Sequence, residues 1–175
     1  MSKRIPDRLD PWRYADLGKV VEGAIRLSAM PRLSECLQDT RGEARFDLRF
    51  ERDAERRATL SGRISAELAL ECQRCLETVT LPVEADVALA FVEVIDQAGM
   101  LPETLDPCLV EEGSVLFRDL IEDELLLMLP QVPMHEPGAC TSGPVGQSEA
   151  LPAEQDKSAG DNPFAVLAGL KRDKD

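Results

Sequence analysis

Residues Leu60 to Phe91 constrain this chain more than any other stretch. Leu60, Gly62, Ile64, Ala66, Leu68 and Leu70 fall on every second position, with Ser61, Arg63, Ser65 and Glu67 between them. After an interruption, Val79, Leu81, Val83, Ala85, Val87, Leu89 and Phe91 resume the same beat. A two-residue period held that long predicts two long strands, each with one face in a core and one in water. Cys72-Gln73-Arg74-Cys75 stands where the first strand hands over to the second. The expectation is a long antiparallel ribbon with a pair of thiols at its bend.

Shorter segments fill in around the ribbon. Lys19–Ser28 alternates through Val21, Gly23, Ile25 and Leu27, and Glu43–Asp53 alternates through Phe46, Leu48 and Phe50. Both read as strands. Pro31 opens a short helical stretch, Arg32–Gln38, in which Cys36 is expected to be a small buried hydrophobe. Trp12, the only tryptophan, reads as a packing anchor for the N-terminal segment. Beyond Phe91, Asp96–Pro107 reads as an acidic loop and Cys108–Glu111 as a short edge strand. Ser114 is then placed to cap a helix over Val115–Met128, stopped by Pro130 and Pro133. Asp119, Glu122 and Asp123 are expected outside, and the apolar run Leu125–Leu129 well buried.

These elements predict an α+β fold: a strongly bent antiparallel sheet of about five strands, curling toward a barrel, packed by one long helix. The folded domain is assigned to residues 1–136. From 137 to 160, ten residues are Gly, Pro or Ser, the composition of a flexible linker. The segment 161–175 reads as a short docking helix on that tether. Asn162 caps it, Pro163 takes the first helical position, and Phe164, Leu167 and Leu170 make an apolar face. It either folds back on its own domain or binds a partner.

Charge narrows the range of partners. The net charge is -13, but residues 1–75 carry 15 basic and 13 acidic side chains, whereas residues 76–175 carry 5 and 20. The second half would be repelled by a phosphate backbone and suits a basic protein, of which ribosomal proteins are one class. Direct contact with RNA would fall to the first half. Arg41 to Arg63 holds seven arginines, yet five acids are interleaved, as on a solvated sheet face. Arg45, Arg49 and Arg63 are the RNA-facing candidates.

The start of the chain runs straight into charges and prolines and has no secretion signal's apolar core. No apolar run reaches the roughly 20 residues that span a bilayer. Five sparse cysteines do not make a secreted disulfide framework. A cytoplasmic location away from membranes is therefore expected.

The sharpest chemical signal is metal binding. Cys72-x-x-Cys75 has the spacing of a zinc half-site, and His135 with Cys140 can complete a Cys3His set. His135 is the only histidine in the chain. The plainer alternative is two half-buried thiols and a surface histidine, because sixty residues between the half-sites do not establish proximity. A thiol redox or regulatory role for Cys72-x-x-Cys75 is the competing function. Thioredoxin-like motifs, however, place the pair at a helix start, and here it ends a strand. Hydrolytic chemistry has little to work with, no Gly-rich phosphate loop is present, and no small-molecule substrate is expected.

Three blocks in order complete the reading: Glu71-Cys72-Gln73-Arg74-Cys75-Leu76, then Glu122 through His135 with Leu125-Leu126-Leu127-Met128-Leu129-Pro130, and finally Asn162-Pro163-Phe164-Ala165-Val166-Leu167-Ala168. Together they resemble the YceD family of large ribosomal RNA subunit accumulation proteins. The resemblance implies a cytosolic, non-enzymatic ribosome biogenesis factor needed for synthesis, processing or stability of 23S ribosomal RNA. Its expected partners are large-subunit assembly intermediates. It supplies no catalytic residues to carry over.

Overall fold

The computed structural model describes residues 7–140. Its frame is a sheet of five strands in the order β2-β3-β4-β5-β6: β2 (Val20–Arg26), β3 (Glu43–Arg52), β4 (Ala58–Glu71), β5 (Thr78–Val92) and β6 (Asp106–Leu109). A two-stranded piece, β1 (Arg8–Leu9) with β7 (Val115–Leu116), stands apart from it. The helices are α1 (Pro11–Asp16), α2 (Pro31–Cys36) and α3 (Phe117–Leu127). β4 and β5 form the long ribbon that the alternation predicts, paired from Thr59 opposite Ala90 to Glu71 opposite Thr78.

The two-residue period sorts side chains as expected. Phe46, Leu48 and Phe50 of β3, Leu60 and Ile64 of β4, and Ala85, Val87 and Leu89 of β5 share one buried face. Helices cover that face. Tyr14 of α1 meets Phe50 edge-on, with ring centroids 5.2 Å apart, and Phe117 of α3 meets Phe46 at 5.3 Å. Trp12 packs partly buried against the same core, as an anchor should.

Gly62 marks a tight passage in β4. It pairs with Leu48 and sits at φ 143°, where a side chain is strained. A Cβ there would drive into the Asp47 carbonyl oxygen and press on Leu48 Cα. Gly62→Ala is expected to cost about 2–3 kcal/mol, measurable as a lower urea midpoint with the slope unchanged.

Several expectations are corrected. The sheet is open, with β2 and β6 as its edges, and does not close into a barrel. It is also not wholly antiparallel: β6 runs parallel to β5. The segment between them leaves β5 through a 3-10 turn, Ile95–Met100, and crosses back before pairing. The predicted long helix is α3, of 11 residues, and it starts only at Phe117. Val115 and Leu116 are taken by pairing with Leu9 and Arg8, and Ser114 accepts a bond from Arg8 Nε instead of capping the helix. Cys36 is exposed, because α2 turns only Leu33 fully inward. Leu125 is buried, but Leu127 and Met128 face out at 79% and 48% exposure.

Glu122 reverses its expectation outright: it is 1% exposed. One carboxylate oxygen accepts the Leu33 backbone N–H at 2.9 Å, and the other accepts Arg32 Nη2 at 3.0 Å and Nε at 3.2 Å. The carboxylate thus joins α3 to the start of α2, a pairing that no local pattern in the sequence announces.

Candidate metal centre

The bend of the ribbon is built to present sulfur. The Cys72 N–H donates to the Glu77 carbonyl at 2.9 Å and the Leu76 N–H to the Cys72 carbonyl at 2.8 Å, closing a tight turn with Leu76 at φ 63°. This geometry turns Cys72 and Cys75 to the same side, and both are buried. The chain after α3 is then led past the turn. The Gln73 N–H donates to the Pro133 carbonyl at 2.9 Å. Arg74 Nη2 donates to the carbonyls of His135 and Glu136, each at 3.1 Å. Gly138, at φ 86°, allows the chain to double back so that Cys140 returns to His135.

Four ligand atoms converge as a result. Cys75 Sγ lies 3.4 Å from His135 Nδ1, Cys140 Sγ lies 3.9 Å from the same nitrogen, and Cys72 Sγ lies 4.0 Å from Cys140 Sγ. All four atoms fall within 4.8 Å of one another. Tetrahedral zinc at ordinary bond lengths needs sulfur–sulfur edges of about 3.8 Å and sulfur–nitrogen edges of about 3.6 Å. The two sulfur–nitrogen spacings bracket their value, and the Cys72–Cys140 sulfurs lie slightly beyond theirs. The Cys72–Cys140 separation is also about twice a disulfide bond. The expected half-sites are thus together, and the pair of half-buried thiols beside an unrelated surface histidine is not what the fold contains. Cys72, Cys75, His135 and Cys140 can hold a metal ion.

The electrostatics suit bound thiolates. Burial pushes the Cys72 thiol up, but the backbone N–H groups of His135, Arg74 and Cys75, with the His135 ring, outweigh it and bring the group down to about 5. For Cys75 the Glu77 N–H favours the thiolate, yet burial and the neighbouring sulfurs of Cys140 and Cys72 raise it. Crowded sulfurs that resist joint ionisation are what a dication relieves. Arg74 adds a fixed positive charge, its Nε donating to Cys140 Sγ at 3.0 Å. The sequence shows Arg74 only as a cation between two cysteines; its second task, gripping two carbonyls of the opposing segment, needs the tertiary contact.

The arginine candidates separate. Arg63 lies in a row Glu22-Asp47-Arg63-Asp86 across the outer sheet face. It bonds Asp86 at 3.0 Å and approaches Glu84 at 3.9 Å, so its charge is already used. Arg45 and Arg49 are exposed on the same face and, among the described residues, form no ion pair. Pro163, Phe164, Leu167 and Leu170 lie outside the described residues, as does most of the 137–160 segment. Among the described residues no helix is long and apolar enough to cross a membrane.

Comparison with known proteins agrees with the order of the motifs. No solved structure matches the chain significantly. Over 171 residues the chain is 33% identical to the large ribosomal RNA subunit accumulation protein YceD of Haemophilus influenzae, covering 97% of each. The family model described as "Large ribosomal RNA subunit accumulation protein YceD" matches residues 60–171, from the start of the central ribbon through the metal-ligand set to the Asn162-Pro163-Phe164 segment. The chain belongs to the YceD family.

Proposed function

We propose that the protein supports accumulation of large-subunit (23S) ribosomal RNA in the cytoplasm as a binding factor and not a catalyst, with structural zinc held by Cys72, Cys75, His135 and Cys140. The family description supplies the ribosomal part of this reading. The observation that carries the non-catalytic part is the donor set itself. Three thiolates and an imidazole fill all four positions of a tetrahedral ion and leave none for water or substrate, the mark of a structural site. Soft sulfur donors with one nitrogen in that geometry also favour zinc over harder ions. The chain's only histidine is one of these ligands, so it is not available as a general base elsewhere.

The partners we infer are large-subunit assembly intermediates, reached through basic ribosomal proteins and, secondarily, through RNA. Arg45 and Arg49 are the side chains best placed for phosphate, and Arg63 the least. Sedimentation of tagged protein from a gently lysed extract, with RNA sequenced from each fraction, tests the reading. Co-migration with large-subunit precursors and not with mature ribosomes is expected; protein that stays at the top without RNA overturns it. Charge reversal at Arg45 and Arg49 is expected to weaken that co-migration, by about tenfold if both contact phosphate, whereas Arg63→Glu alone should change it less. Unchanged co-migration in the double variant would remove direct RNA contact. The apolar face of Pro163, Phe164, Leu167 and Leu170 is proposed as a further docking element. Deleting 161–175 should leave the domain folded, with the melting temperature within about a degree, while partner binding is lost.

One observation favours a second reading. The Cys72 thiol is lowered to about 5, and a reversible Cys72–Cys75 disulfide would make the protein a redox regulator, but Cys72 is fully buried, which opposes attack on it. Here, however, the lowering comes from the N–H groups of a strand turn and of the opposing loop, not from a helix start. Thiol titration of metal-loaded protein separates the readings. Protected Cys72 and Cys75 support structural zinc, and a reversible disulfide of mild potential supports redox.

A further inference from the structure

The exposed end of α3 opens onto a groove of about 510 Å³ that runs between α3 and the edge strand β6. Its apolar lining includes Leu89 of β5, Cys108 of β6, Val115 and Leu116 of β7, and Leu120 and Leu127 of α3. Leu127 is 79% exposed where it lines the cleft, a large aliphatic surface to leave open on a packed helix; Leu109, in register with Val92, turns its side chain to the other face of β6. Along the same groove stand the carboxylates of Asp106, Glu111 and Glu124. Two further carboxylates there are already engaged, Asp119 by Arg118 and Asp123 by Arg32. The only cation in the lining is Arg8, held at the far end by Ser114.

We propose that this groove docks a lysine- or arginine-rich polypeptide segment of a partner protein, with an aliphatic side chain of that segment seated against Leu127. Charge complementarity selects the occupant. The carboxylates repel a phosphate backbone, so RNA does not fit. They also do not converge as ligands for a point ion: among the described residues, the Cys72 cluster is the one set of donor atoms that does. An acidic rim around an apolar floor, spread along a cleft, matches an extended chain with several positive charges and an apolar anchor. Burial, then Asp106 and Asp123, hold the Glu124 carboxyl above its ordinary range, as expected of a carboxylate that lacks its counter-charge. β6 offers little for strand addition, since Pro107 has no N–H to give, so recognition rests on side chains. The inference rests on the ribosome-assembly reading only for the partner's class, the basic ribosomal proteins.

The test uses the full zinc-loaded chain and a fluorescein-labelled peptide of repeated Lys-Lys-Leu, with binding read by anisotropy. Neutralising the rim (Asp106→Asn, Glu111→Gln, Glu124→Gln) should weaken binding by about tenfold, and Leu127→Asp by a similar factor. These side chains are at least partly exposed, so the melting temperature should hold. Neutralising Glu22, Asp47 and Glu84 on the opposite sheet face removes the same charge and should change affinity less than twofold. Equal weakening by both triple variants would reduce the effect to bulk charge and overturn the proposal, as would full binding by Leu127→Asp. If Leu127→Asp instead alters the sedimentation of the protein alone, the groove is a self-association face and the proposal also falls. Failure here with co-migration on large-subunit precursors intact would leave the assembly reading standing. Groove-specific peptide binding without co-migration would do the reverse.

Discussion

Replacing Cys72 with serine is expected to abolish zinc retention and to lower the melting temperature by about 10 °C. The size follows from linkage. An ion that binds only the folded chain, present at about a hundred times its Kd, contributes about 2.7 kcal/mol, and each kcal/mol moves the melting point of a domain this size by roughly 3–5 °C. Serine does not supply an anionic ligand at neutral pH, so one of four ligand positions is lost. The damage should begin locally. Pro130 to Cys140 is mostly exposed and is tied to the ribbon by the Gln73–Pro133 bond, the Arg74 grip and the cluster itself. Amide exchange should therefore rise first at Gln73 and Leu76, before the sheet core opens. Cys36→Ser is the internal control, since that thiol is exposed on α2 and outside the cluster. Metal analysis beside a thermal melt reads all of this. A Cys72→Ser protein that keeps stoichiometric zinc, or melts as the parent does, removes the structural site.

Glu122→Ala is expected to be at least as damaging, by about 3–4 kcal/mol, although Glu122 lies far from any proposed ligand. The substitution strands the Leu33 N–H, which the carboxylate now satisfies at 2.9 Å, and releases Arg32 from its bridge. It also leaves a gap beside Ile121 and Leu125, both fully buried. Glu122→Gln should be milder, by roughly 1–2 kcal/mol, since the amide oxygen still accepts from Leu33 while the charge for Arg32 is gone. Arg32 is itself 52% exposed and also bonds Asp123, so its own loss is partly offset by water. Urea unfolding of the two Glu122 variants gives the comparison. Equal and small losses would mean that the carboxylate does not hold α2 to α3. Because α3 carries one wall of the acidic groove and leads into the His135 segment, the bridge also fixes the relation of both sites to the sheet.

Much of the frame was legible because strand alternation is a local code. Phe46, Leu48 and Phe50, or Val79 through Phe91, announce which face is buried without reference to anything distant. Chemistry was legible in the same way for Cys72 and Cys75, whose spacing is itself the half-site. Less legible were features in which one segment's state is set by another. Ser114 had the right residue type for a cap, but pairing of Val115 and Leu116 with β1 delayed the helix. The Leu125–Leu129 run looked buried on all sides because hydropathy cannot show that, among the described residues, nothing lies over Leu127.

The sequence by itself therefore determined the long ribbon, the mixed helix and sheet content, the four candidate ligands and the uneven charge. These follow from residue type and short spacing, which act within a few residues. Only the tertiary structure decided that the sheet stays open with β6 parallel, that Glu122 is buried, that Asp86 and Glu84 already occupy Arg63, and that His135 and Cys140 meet Cys72 and Cys75. Each of those depends on which distant segment arrives as a neighbour. The physical reason is the same throughout: burial and charge pairing are properties of two surfaces in contact, and a local pattern specifies only one of them.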